Sequence, residues 1–104
     1  MNVSGSINVG NVGFKLVVIT GTLPANGSDS TAAYPTGVTP LNVIMSYGIC
    51  VMSNYSIPWT YNLPADTSWP VSHYFDTNYI RIRVPSGATA ASGRTYNLCI
   101  VYVP

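Results

Sequence analysis

The sequence predicts an all-β chain, folded as a single antiparallel β-sandwich (jelly-roll-like) of about five to eight strands. Three observations carry this expectation. The 104 residues include only four basic and three acidic ones, Glu is absent, and Lys occurs once. Exposed helix faces normally draw on Glu, Lys, Ala and Gln. Val, Ile, Tyr and Thr, which suit a pleated half-buried surface, gather instead in runs bounded by Gly, Pro, Asn and Ser. Finally, Tyr79, Arg81 and Arg83 alternate with Ile80, Ile82 and Val84. That period of two puts aliphatic residues on one face of a strand and arginines on the other.

In chain order, residues 2 to 13 are rich in Gly, Asn and Ser, with Val3, Ile7, Val9 and Val12 as apolar points. They read as an N-terminal arm or edge strand (1–13) ahead of the sandwich proper (14–104). Phe14 to Thr22 reads as a strong strand, with Val17, Val18 and Ile19 in succession suggesting burial on both faces. Leu23-Pro24 ends it. Ala25 to Pro40 is a connection broken by Gly27, Pro35, Gly37 and Pro40, with room for a short strand at Ser30–Tyr34. Leu41 to Ser53 is the second strong strand. It exceeds the usual strand length, so a bulge or bend is expected near Gly48.

Asn54 to Pro70 is rich in aromatic residues and proline, which places it on loops or an edge strand. Val71 to Phe75 reads as a further strand. The runs Tyr79–Val84 and Thr95–Val103 then read as a closing hairpin across the small polar residues 85–94. No segment carries a helical pattern, and no internal repeat is present.

Composition also bounds function. A net charge of +1 gives no basic patch of the kind that displaces counterions from nucleic acid. The apolar runs are too short for a bilayer-spanning helix, so no membrane insertion is expected. The first residues carry neither a basic region nor an apolar core of secretory type, so synthesis in a cytoplasm is the expectation. In that setting Asn2-Val-Ser, Asn26-Gly-Ser and Asn54-Tyr-Ser read as chance matches to the glycosylation pattern. Low charge gives little self-repulsion, which favours life inside a larger assembly.

Catalytic candidates are sparse. His73 and Asp76 stand three apart, which in a strand puts them on opposite faces. Neither a nucleophile elbow nor an oxyanion-hole glycine motif accompanies them, so no catalytic residue is assigned. No paired His/Cys spacing of zinc type occurs, and neither metal nor cofactor is expected. Cys50 and Cys99 fall inside predicted strands and read as free thiols ahead of a disulfide. The surface candidates are aromatic: Tyr55, Trp59, Tyr61 and Trp69 combine apolar area with polar tips. They form either a platform for a ligand or another subunit, or core filler at the open end of the sandwich. Arg81 and Arg83 read as solvated strand residues that discourage edge pairing, with an inter-subunit role as the alternative.

The order of features resembles a known family. Thr20-Gly-Thr-Leu-Pro24 ends a Val-rich strand, and Tyr34-Pro-Thr-Gly-Val38 leads to the Leu41-Asn-Val-Ile44 strand. Pro58-Trp59, Asn78-Tyr-Ile-Arg-Ile82 and Gly93-Arg-Thr-Tyr96 follow. Across residues 14 to 103 this is similar to the C-terminal β-sandwich domains of bacteriophage tail fibres and receptor-binding proteins. Thr36 stands where many members carry His before the glycine. The resemblance implies a homotrimer on the virion, alongside other virion proteins, that attaches the particle to a host surface glycan or protein. The alternative is a structural virion component, a capsid decoration or tail-associated protein, with no host ligand.

Overall fold

Strands form where apolar residues recur at alternate positions, and the computed structural model shows how they are layered. It describes residues 2–9, 12–59 and 71–104. Among these the chain runs β1 (Asn2–Val9), β2 (Val12–Thr22), β3 (Ser28–Ala32), β4 (Val43–Val51), β5 (Ser56–Pro58), β6 (Ser72–Phe75), β7 (Ile80–Val84) and β8 (Thr95–Tyr102). One 3-10 turn, Thr89–Ala91, interrupts the last connection. The strands make an antiparallel five-stranded sheet in the order β1-β2-β8-β4-β5 and an antiparallel three-stranded sheet in the order β3-β7-β6. The fold is therefore the expected all-β sandwich.

The inner faces meet in one core. From the larger sheet come Val17 and Ile19, Cys50, Ile57, and the β8 residues Tyr96, Leu98, Ile100 and Tyr102. From the smaller sheet come Ile80, Ile82 and Val84, all fully buried. Burying such aliphatic side chains stabilises a domain by roughly 1.5–3 kcal/mol apiece. The alternation read from residues 79–84 is thus the inner and outer face of β7. Val18 is only half-buried, because it lies on the outer face between buried Val17 and Ile19.

Two expectations are corrected. Tyr79–Val84 and Thr95–Val103 do not pair as a hairpin, since β7 is central in the small sheet and β8 is central in the large one. Each presents an all-apolar face, and the lowest-cost use of two such faces is to oppose them across the core. The intervening residues 85–94 arch from one sheet to the other, with Ala88 and Ala91 buried beneath the arch. The irregularity in the long strand is also elsewhere: the register shifts between Val43 and Met45, not at Gly48. Gly48 answers to a different constraint, described below.

β1 is a full partner of β2, in register from Asn2↔Ile19 to Val9↔Val12. No helix among the described residues is long and apolar enough to cross a membrane.

Candidate functional site

The structure separates Tyr55 from Trp59, which the sequence grouped. Tyr55 is exposed, in the turn between β4 and β5. Trp59, just past β5, is 2% exposed and belongs to the core. Tyr61 and Trp69 lie outside the described residues. Of the described pair, only Tyr55 can meet a partner in the free chain.

Trp59 is seated by backbone and glycine together. Its N–H donates to the Gly48 carbonyl at 3.0 Å, continuing the β4–β5 ladder by one bond. Its indole then lies over Gly48, in the space a Cβ there would occupy. Edge-to-face contacts run outward from the indole to Tyr96 (centroids 5.8 Å apart) and to His73 (4.9 Å). His73 in turn meets Phe75 edge-on at 5.5 Å. This row of rings crosses from the large sheet to the small one.

A cavity of about 300 Å³ opens beside it, lined by Ser46, Tyr47, Gly48, Trp59, Val71, Ser72 and His73. Ser46 Oγ and His73 Nε2 are 2.7 Å apart, a hydrogen bond joining β4 to β6. Burial holds the His73 pKa below its ordinary value, so the ring is neutral near pH 7 and can accept the Ser46 proton. The Trp59 Nε1–H is buried and meets no hydrogen-bond partner among the described residues.

A serine bonded to a neutral imidazole is the start of a nucleophilic site. Such a site also needs an orienting group on the second ring nitrogen and donors aimed at a developing oxyanion. Asp76 and Asp29 are committed elsewhere, to Arg81 at 3.0 Å and to Arg83 at 2.7 Å. Among the described residues the Ser46–His73 bond ties β4 of one sheet to β6 of the other. Sequence reasoning missed it. Strand parity places both residues on inner faces, but only the packing of the sheets brings them together.

The arginines are engaged within the chain. Arg81 donates from Nε to Asp76, donates to the Tyr79 hydroxyl at 2.9 Å, and lies over the Tyr79 ring. The hydrogen bond from Arg81, then that from the Thr77 N–H, hold the Asp76 carboxyl below its ordinary pKa. Arg83 bonds across strands to Asp29, at the register position directly opposite. Among the described residues no group of three metal-binding side chains occurs.

Cys50 and Cys99 are both free. Cys50 stands opposite Tyr96 and Cys99 opposite Tyr47, so the thiols are three register positions apart and project from opposite faces. Burial raises the pKa of each.

Among the described residues, apolar side chains gather on the outer face of the five-stranded sheet. Leu16 and Val18 on β2, Cys99 and Val101 on β8, and Met45, Tyr47, Ile49 and Val51 on β4 stand side by side there. Met45 is 60% exposed and Tyr47 51%. Thr20 and Asn97 interrupt this block, the Thr20 hydroxyl donating to Asn97 Oδ1 at 2.6 Å, and Thr95 borders it beside Val51. No charged side chain stands among these residues. Comparison with protein-family models, curated proteins and solved structures finds no match.

Proposed function

We propose that the chain is a non-enzymatic phage virion protein of tail-fibre type. In this reading it works as one copy of a multi-copy assembly and attaches the particle to a host surface glycan or protein. The observation that carries the proposal is the uncharged, apolar outer face of the five-stranded sheet. Contiguous apolar surface of this kind, on a chain with seven charges, marks a protein–protein contact. The motif resemblance over residues 14–103 supports the virion setting. The commitment of both described aspartates to arginines supports binding over chemistry. Adsorption of the purified protein to susceptible and resistant bacterial cells tests this reading. Selective adsorption to susceptible cells is expected, and equal or absent adsorption contradicts it.

A second reading, a structural virion component with no host ligand, is favoured by one observation. Trp59 is core, which leaves Tyr55 as the one described member of the aromatic segment at the surface. Particles lacking the protein would then adsorb normally while losing density at the shell or tail.

A further inference from the structure

Among the described residues the four sheet edges differ sharply. β5 has three residues and ends in Pro58, β6 has four, and β3 carries the Asp29–Arg83 pair across its ladder. β1 has eight residues, Asn2-Val-Ser-Gly-Ser-Ile-Asn-Val9, paired without a register shift and, among the described residues, on one side only. It contains no charge and no proline. Natural proteins blunt free edges with lysine, proline, bulges or shortness, because an open row of N–H and C=O groups templates another strand. β1 uses none of these devices.

Its sequence also says which strand it suits. Read from Gly5 outward, Ser4 is matched by Ser6, Val3 by Ile7 and Asn2 by Asn8. An antiparallel strand centred on Gly5 and carrying the same sequence would place like opposite like at every position. Serine faces serine, amide faces amide and two β-branched residues face each other, all of them favourable cross-strand pairs. Two-fold symmetry requires such self-complementarity, since residue i meets j and j meets i. Positions 3, 5 and 7 stand in register beside Val18, Leu16 and Phe14. A two-fold pairing would therefore carry the apolar outer face of one copy directly into that of the next.

We infer that the partner of the β1 edge is β1 of a second copy of this chain, paired antiparallel about a two-fold axis at Gly5. The product is a continuous ten-stranded sheet. The inference is independent of any host ligand. It adds a two-fold to the three-fold that the fibre resemblance implies, and the two coexist in an assembly of six copies.

Single cysteines read the register. An added Cβ at Gly5 meets nothing within 4 Å, and its backbone needs no glycine, so Gly5→Cys leaves the fold intact. Under mild oxidation Gly5→Cys is expected to give a covalent dimer. Asn2→Cys, which would face Asn8 of the partner, is expected to give none, as is the unmodified chain. The double variant Ser4→Lys/Ser6→Lys sets like charges opposite each other and should halve the native mass in sedimentation. Failure of Gly5→Cys to cross-link, equal cross-linking at both positions, or a mass unchanged by the lysines overturns the inference. Host-cell adsorption is scored separately, so loss of one result does not mimic loss of the other.

Discussion

The indole of Trp59 occupies the place where residue 48 would carry a Cβ, and Gly48 accepts the Trp59 backbone N–H at 3.0 Å. One glycine thus fixes both the backbone and the side chain of the ring that joins the two sheets. Gly48→Ala must displace a buried, edge-packed indole, and overpacking of this kind costs about 1–3 kcal/mol. Urea unfolding of the variant should show that loss. An unchanged midpoint would mean the indole has room to move. Gly21 is a milder case, because the group over it is the hydroxyl end of the Tyr96 ring.

His73 predicts a pH dependence. Burial lowers its folded-state pKa from 6.5, so the unfolded chain takes up a proton that the folded one refuses. The stability from neutral His73 is full above the unfolded value and is lost as pH falls from there toward the folded pKa. A single group sets a slope of at most about 1.4 kcal/mol per pH unit in that window. Denaturation midpoints followed downward from pH 7.5 should fall, and His73→Phe should flatten the curve. Asp76, with its lowered pKa, contributes above its ordinary value of 3.8 and loses its contribution below it, a separate and more acid window. A curve in which His73→Phe retains the fall near pH 6 would refute the assignment.

Much of this was legible in the sequence, and the rest was not for definite reasons. The faces of β7 follow from alternation over six residues, a purely local signal. That β7 and β8 belong to different sheets is a long-range choice, which the small polar residues 85–94 permit but do not encode. Gly48 could be marked as special from its place in a long strand. The reason, an indole eleven residues on, exists only after β5 turns back along β4. The Ser46–His73 bond is of the same kind, since it joins residues that share no strand pair.

The two thiols should behave unequally. Cys50 is fully buried, with its Sγ 3.7 Å from the Met52 sulfur, and Cys99 lies half-buried on the outer face. In the Met45→Lys/Tyr47→Lys variant, which leaves the outer face open, a thiol-specific reagent should modify Cys99 first and Cys50 only on unfolding. Non-reducing electrophoresis should show no internal bridge. Equal labelling rates in the folded variant would contradict the placement.

Arg83 is a solvated cross-strand partner, with its side chain 55% exposed. Surface pairs of this kind contribute little. Arg83→Ala should change stability by less than about 0.5 kcal/mol and leave the native mass unaltered. A drop in mass would move this arginine to a subunit contact.

The central claim is that an uncharged sheet face makes this chain a component of an assembly. Sedimentation velocity on the unmodified protein and on Met45→Lys/Tyr47→Lys tests it most directly. Both substituted positions are more than half exposed, so the variant should fold as the parent does. The account predicts a multi-copy particle for the parent and a lighter species for the variant, with identical circular dichroism. A parent that remains monomeric at its highest soluble concentration, or an assembly indifferent to two lysines on that face, would contradict it.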